Sequence, residues 1–345
     1  MSPPYLQPGL TLSPSAANTP ALVQALQRDL RALGYLRHGI DGQFGAGTAL
    51  AIRSLRIDLM HNSGAGSDGH APVAIASFND DGAGGKRVTQ ITDDLDQSLA
   101  QCLAAMLADP RVTTLPYSDD PKSENAKALA AIGGTVSTTA PSPFIAAMII
   151  QESDGAHYNV PRTGDSDSYV TVGLDRNDAA LKDRITSRGY GIDQYTFFHH
   201  PLSAAQMAEF VADPVRNAQN GYKELRDKFD HFLVGPASTA CDRDVEHPHM
   251  PLRLCKYQLS DARYMRDCKA CAMAARKVDI ARGTPAYDGA TFGYQPDQYY
   301  PSADYMGVPD RADFQCDWPY AARRYNGSGN NSFHYQARIL LNLLK

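Results

Sequence analysis

The stretch SPFIAAMIIQESDG, residues 142–155, sets an unbroken apolar run between polar flanks. Ser142 is a good N-cap, and Pro143 suits the first helical position because its missing N–H has no partner there anyway. Ile145, Met148 and Ile149 recur at i, i+3 and i+4, the stripe of an amphipathic helix predicted over 142–152. Glu152 stands at i+7, on the same face and in the last turn. Burial and the negative end of the helix dipole both disfavour its carboxylate, so its pKa is expected to rise. A carboxyl that keeps its proton near neutrality is a candidate general acid; the plain alternative is a helix-end glutamate reaching solvent.

Two segments farther along the chain extend this reading. RGYGIDQYTFFHHP, residues 188–201, places Gly189, Gly191, Ile192 and Gln194 in a tight, glycine-rich turn. RRYNGSGNNSFHYQARILLNLL, residues 323–344, places Tyr325 and Asn326 before a closing helix with Phe333, Ala337, Leu340 and Leu344 on its apolar face. Helix-end glutamate, glycine-rich turn and Tyr-Asn-Gly, in that order, resemble the goose-type lysozymes and soluble lytic transglycosylases. Asp193 departs from the pattern, standing where those families usually carry an apolar residue or glycine.

The resemblance implies a mainly α, lysozyme-like α(+β) domain without a cofactor, cleaving the MurNAc–GlcNAc β-1,4 bond of peptidoglycan, with Glu152 as general acid. It also implies that Gly191, Gln194, Thr196, Tyr325 and Asn326 line the sugar cleft. Inverting hydrolysis needs a second carboxylate about 6.5–9.5 Å from the acid. Asp175, after the β-like run Tyr169–Val172, is the first candidate, Asp193 the second and Asp167 the third. A transglycosylase needs none, because the substrate's own 6-hydroxyl attacks and leaves 1,6-anhydro-MurNAc. Asp154, Asp165 and Asp167 raise calcium as an alternative, but their spacing lacks the EF-hand glycine and terminal glutamate. His199-His200 and the pair His247/His249 invite a metal reading, with loop histidines the plainer one.

Toward the N-terminus, residues 1–18 are Pro-, Ser- and Thr-rich and read as a loose leader. Thr19 and Pro20 open a helix carrying Leu22, Leu26, Leu30 and Leu33, which Gly34 ends. A second helix carries Ile52, Leu55 and Leu59. The stretch LVQALQRDLRALGYLRHGIDGQFGAGTALAIRSLR, residues 22–56, resembles the three-helix peptidoglycan-binding domain through Leu26-Gln27, Leu33-Gly34-Tyr35, Asp41-Gly42, Phe44-Gly45, Thr48 and Ala51. It departs at Leu55-Arg56, where that family usually has an aromatic followed by Gln. The resemblance implies a wall-binding surface at Asp41, Gly42, Phe44, Gly45 and Thr48, with Thr48 capping the second helix. Residues 61–89, rich in Gly, Asp, Ser and Asn, read as a linker between this module (19–60) and the lysozyme-like domain (90–345). Helices are predicted at 91–108, 142–152, 203–233, 259–281 and 332–344. Long loops are predicted at 153–190 and 282–315, with a Cys-bearing insertion near 236–315.

Composition narrows the functional class. Of 345 residues, 43% are hydrophobic and 21% charged, and the net charge of −5 argues against coating nucleic acid by bulk charge. The longest apolar run, Phe144 to Ile150, is far short of the ~20 residues of a membrane span. Six cysteines, four of them between Cys241 and Cys271, suggest disulfides, with zinc and free thiols as rivals. Cys268 and Cys271 lie one helical turn apart, so each is better used to pin another segment. The preferred pairing is Cys255 with Cys268 and Cys241 with Cys271, leaving Cys102 and Cys316 for a third bridge. MSPPYLQPGL has no basic n-region and no apolar h-region, so no secretory signal is expected. A wall-directed chain of this kind fits two delivery routes to the periplasm. One is an antibacterial secretion effector, with a carrier and an immunity protein as partners; the other is a phage endolysin. A non-catalytic wall-binding protein is the rival from another class.

Overall fold

The computed structural model describes residues 2–134, 140–234, 255, 258, 260–266, 268, 316–327 and 330–344. The fold is mainly helical with small antiparallel sheets, in the expected class. It divides into two compact units, residues 1–128 with 156–217, and residues 129–155 with 218–345. The expected division at 61–89 therefore falls inside the first unit.

The first unit is built on α1 (Pro20–Ala32), α2 (Ala46–His61) and α3 (Gln97–Ala108). Leu26, Leu30, Ile52, Leu55, Leu99 and Leu103 bury in one core. The supposed leader belongs to that core. Tyr5 and Leu12 are buried, Leu12 bridges to Leu95, and the Tyr5 hydroxyl donates to Asp29 at 2.5 Å. The supposed linker is packed as well. It forms a two-residue hairpin, β1 (Ala65–Gly66) and β2 (Gly69–His70), and a 3-10 turn at Ile75–Asn79, and it buries Val73, Ile75 and Val88. Its polar composition reflects backbone turns closed by side chains such as Asn62, Asp80 and Asp81, each accepting from nearby amides. Arg56, the departure from the module's usual pattern, is used here: it donates to Asp96 and to the Asp94 carbonyl at the start of α3.

The same unit contains the sheet β3 (Val172–Asp175), β4 (Ser187–Tyr190) and β5 (Tyr195–Phe197), antiparallel throughout. The strand thus begins where the predicted β-like run 169–172 ends; Tyr169 and Val170 make only isolated bridges, to Tyr117 and Tyr158. The long loop expected over 153–190 therefore contains strands. Leu115, Tyr158, Val170, Val172, Tyr190 and Phe197 form the core beneath the sheet.

The second unit contains α5 (Ser142–Ser153), α8 (Trp318–Tyr325) and α9 (Asn330–Leu344). Both α8 and α9 pack against α5, and Asn342 donates to the Ala147 carbonyl at 3.2 Å. Trp318 is fully buried and its ring lies 4.4 Å from Phe229. The unit boundary falls within α4 (Pro121–Gly134), a helix the periodicity did not announce, and within α7 (Pro214–Phe229). The single helix predicted over 203–233 is broken into α6 (Ala204–Gln206), wider π turns at 207–211 and 230–234, and α7. The helix predicted at 259–281, most of the insertion, and Cys241 and Cys271 lie outside the described residues.

Among the described residues there is no disulfide, and Cys102, Cys255, Cys268 and Cys316 are not cross-linked. This corrects the expected Cys255–Cys268 and Cys102–Cys316 bridges. The Cys255 sulfur accepts from the Met265 amide, and the Cys268 thiol donates to the Met265 carbonyl. Cys102 is a core side chain of α3, and burial pushes its thiol up to about 11.

Candidate functional site

Within the second unit, α5 buries Phe144, Ile145, Ala147, Met148 and Ile149, matching the predicted stripe. Its start shifts by one residue, with Pro141 at the N-cap position and no side-chain cap. Its end is a left-handed closure. Asp154 (φ 54°) and Gly155 (φ 76°) turn the chain; the Asp154 amide donates back to the Ile150 carbonyl and the Gly155 amide to the Ile149 carbonyl. Glu152 stands half-buried in that last turn. Tyr325 is the last residue of α8, its ring stacked 6.1 Å from Tyr335 of α9. Asn326 is exposed in the C-cap position, and Gly327 (φ 93°) turns the chain toward α9. Glu152 and the Tyr-Asn-Gly motif thus belong to one helical unit.

The remaining predicted residues lie in the first unit. Gly191 to Gln194 form the turn between β4 and β5. Gly191 has φ 75°, and a Cβ there would stand 2.7 Å from Asn217 Oδ1 and from the His157 ring. Packing against these two side chains is thus what demands glycine. Gln194 folds over its own turn, its amide donating to the Gly191 carbonyl at 2.7 Å. Thr196 is exposed on β5. Asp193 is fully buried, its backbone amide donating to Asn217 Oδ1.

Asp175 is exposed at the far end of β3, opposite Ser187, whose hydroxyl donates to it at 2.7 Å. The ladder runs from Val172–Tyr190, beside the turn, to Asp175–Ser187. Three residues at about 3.4 Å each separate its ends by roughly 10 Å. Asp175 and Asp193 are therefore alternatives, not partners.

Asp167, the third candidate, is a structural carboxylate. It accepts from Arg31 Nε at 2.9 Å and from Asn159 at 2.7 Å, with both ion-pair partners buried. Asp165 accepts from the Ile40 and Asp167 amides. Two members of the proposed calcium trio are thus filled by protein donors, and no group of His, Cys, Asp or Glu among the described residues is arranged to hold a metal.

His157 and Asn217, which carried no motif, organise the turn. His157 Nδ1 accepts from the Ile192 amide at 3.2 Å, and Asn217 donates to the Tyr190 and Phe210 carbonyls. Burial holds the imidazole neutral, lowering its pKa to about 4.

In the N-terminal helical pair, one side chain shapes the loop between α1 and α2. The Gln27 amide donates to Asp41 Oδ1, the Gln43 carbonyl and Thr48 Oγ1, and its oxygen accepts from the Gly42 amide. Thr48 is thus buried and bonded to Gln27, while Gly45 is the N-cap of α2, a correction to the expected capping role. Gly42 has φ 77° and sits against Pro20. Phe44 is half-buried against the core. Asp41, Gln43, Gly45, Ala46 and Gly47 remain as the exposed ledge. Of the expected wall-binding residues, Asp41 and Gly45 lie on this ledge, Phe44 is half-buried and Gly42 and Thr48 are buried beneath it; Gln27 belonged to the sequence pattern, but its supporting role did not show there.

No helix among the described residues is long and apolar enough to cross a membrane. Neither a curated protein nor a solved structure matches the chain. Residues 19–55, which span α1, the Gln27-supported loop and most of α2, match the family model of the peptidoglycan binding domain, and this part of the chain is a peptidoglycan-binding module.

Proposed function

We propose that the chain is a peptidoglycan-degrading glycosidase of lysozyme-like type, cutting the MurNAc–GlcNAc bond with Glu152 as general acid. The observation that carries the reading is the setting of Glu152. It is a half-buried carboxyl in the last turn of a helix, at i+7, i+4 and i+3 from the buried Ile145, Met148 and Ile149. A three-stranded antiparallel sheet with the Gly-x-Gly-Ile-x-Gln turn follows it in the chain, and Tyr-Asn-Gly closes a helix that packs on the same α5. Glu152 would protonate the leaving oxygen, and Asp175, the exposed candidate, would activate water. The module at 19–55 would raise the enzyme's effective concentration on an insoluble polymer. The place of action is then the periplasm or cell wall, reached as an injected antibacterial effector or a phage endolysin.

A lytic transglycosylase is the second reading, favoured by a separate observation. Of the candidate bases, Asp167 is locked by Arg31, Asp193 has no exposed surface and Asp175 already accepts from Ser187. A mechanism in which the sugar's own hydroxyl attacks needs none of them. Mass spectrometry of muropeptides released from purified sacculi tests both. Reducing MurNAc ends are expected for the hydrolase and anhydro ends for the transglycosylase. Retention on sacculi with no release would leave a non-catalytic wall-binding protein.

A further inference from the structure

Among the described residues, Tyr117 of the first unit is the most exposed large apolar side chain, at 63%. One exposed ring by itself needs no explanation. Its setting distinguishes it. Tyr117 pairs antiparallel with Tyr169, and the two rings meet at 5.8 Å with an interplanar angle of 56°. The Ser118 amide donates to the Ser168 carbonyl at 3.0 Å, and the Val170 amide to the Pro116 carbonyl at 2.9 Å. On the other side of the same segment, the Asn159 amide donates to the Tyr169 carbonyl at 2.9 Å. Directly paired residues share a face, so both tyrosines stand on one side. Val170, the next residue, points to the other and is buried in the core with Leu115 and Tyr158. The ring pair is thus fixed on a bonded backbone.

That face is continuous with the peptidoglycan-binding module. Arg31 of α1 bonds Asp167, donates to the Tyr169 and Val170 carbonyls, and sets its guanidinium 5.7 Å from the centre of the Tyr169 ring. The Leu115 amide donates to the Ala32 carbonyl at 2.7 Å. Asp165 accepts from the Ile40 amide, and the Ser166 amide donates to the Ile40 carbonyl, beside the exposed Asp41 of the ledge. Helix α1 therefore covers the face at Asp167 and leaves it open at Tyr117. Four residues, at most about 14 Å of extended chain, lead from Asp165 to Tyr169. A few linked sugar rings cover such a span.

We propose that the Tyr117–Tyr169 pair is a glycan-stacking subsite that extends the wall-binding surface of the module, with the open Tyr117 ring lying against one pyranose of the strand. The C–H face of an N-acetylated pyranose is apolar and slightly positive, the complement of the negative face of an aromatic ring. A tyrosine gives wide contact area for little lost rotamer freedom. A bare ring face suits a sugar better than the carboxylates of a stem peptide. The proposal rests on the module's family match and is independent of Glu152.

Two measurements on the full chain test it. The first is co-sedimentation with purified sacculi on ice. Tyr117→Ala is expected to weaken retention at least about threefold with an unchanged circular dichroism spectrum, while Tyr117→Phe, which keeps the ring, is retained like the original chain. The second needs no variant: nitration of Tyr117 by tetranitromethane, read by peptide mass spectrometry. Sacculi and the soluble GlcNAc tetramer are expected to slow nitration of Tyr117, and free stem peptide to leave it unchanged. Undiminished retention of Tyr117→Ala, an equal loss in Tyr117→Phe, or no protection of Tyr117 by the tetramer would overturn the proposal. Protection by the stem peptide instead of the tetramer would make the occupant the peptide and overturn it too. Failure of the original chain to sediment at all would overturn wall binding by the module together with this subsite.

Discussion

Glu152 and His157 lie five positions apart and answer to different chemistry. Glu152 is half-buried at a helix end, so its replacement removes an acid without opening a cavity. Glu152→Gln is therefore expected to abolish wall lysis in a turbidity assay, with sacculus binding and circular dichroism unchanged. Lysis at the original rate would exclude Glu152 as the acid. His157 is wholly buried and accepts a backbone hydrogen bond through the nitrogen that protonation would occupy. Its folded pKa of about 4 lies below the unfolded value near 6.5. The unfolded chain therefore takes up the proton first, and stability falls as pH drops from about 6.5 toward 4. Between pH 7 and pH 5 this one group removes about 2 kcal/mol. His200, also held neutral by burial, adds a loss of the same sign. Urea unfolding at the two pH values measures it, and His157→Asn should flatten the slope. An unchanged slope in that variant would place the acid sensitivity elsewhere.

The β4–β5 turn illustrates how far local pattern carries. Two glycines bracketing a tyrosine signalled a sharp reversal, and a hairpin forms there. The reason for Gly191 lies in His157 and Asn217, far off in sequence, and no spacing rule points to either. Gly191→Ala should therefore cost stability, since a left-handed φ costs a side chain about 1–3 kcal/mol and overpacking a further 1–3. Chemical denaturation reads the loss, and a change below about 1 kcal/mol would mean that the turn relaxes freely. Helix α5 was legible because its apolar stripe is local and its end is marked by Asp154-Gly155. Helix α4 was not: PKSENAKALAAIGG has little amphipathic contrast, and Leu129 on it is exposed. The strands were hidden for a different reason. Ser187, Arg188, Gly189 and Tyr190 read as a polar loop, yet all four are buried, Arg188 through its bonds to Asp58 and the Gly34 carbonyl. Of the candidate site, the helix-end acid, the glycine turn and Gln27 as a member of the module's pattern could be read from sequence; the bonds that Gln27 makes, and His157 and Asn217 behind the turn, could not.

The first unit is discontinuous in the chain, and that arrangement changes what the peptidoglycan-binding module is. Arg31 of the module reaches Asp167, 136 positions away, and Arg53 reaches both Asp93 and Asp183. Composition at 61–89 suggested a tether, whereas these contacts describe a module built into a larger body. Arg31→Met would leave Asp167 as a buried carboxylate without its cation, a loss of about 3–5 kcal/mol by thermal or urea unfolding. Deleting residues 1–60 is the more severe case. It removes Leu26, Leu30, Tyr35, Ile52 and Leu55 from the core and uncovers their partners Leu95, Leu99, Leu103 and Met106. Uncovering each large apolar side chain costs about 1.5–3 kcal/mol. Four of them alone reach the ~5–15 kcal/mol by which a native protein is stable. The remaining chain is thus expected to be insoluble, or to be cut by a protease throughout 61–128 and 156–217, with activity on soluble glycan fragments lost together with sacculus binding. A soluble 61–345 protein that melts cooperatively and still cleaves such fragments would establish the opposite, a separable module whose packing against the rest of its unit contributes little.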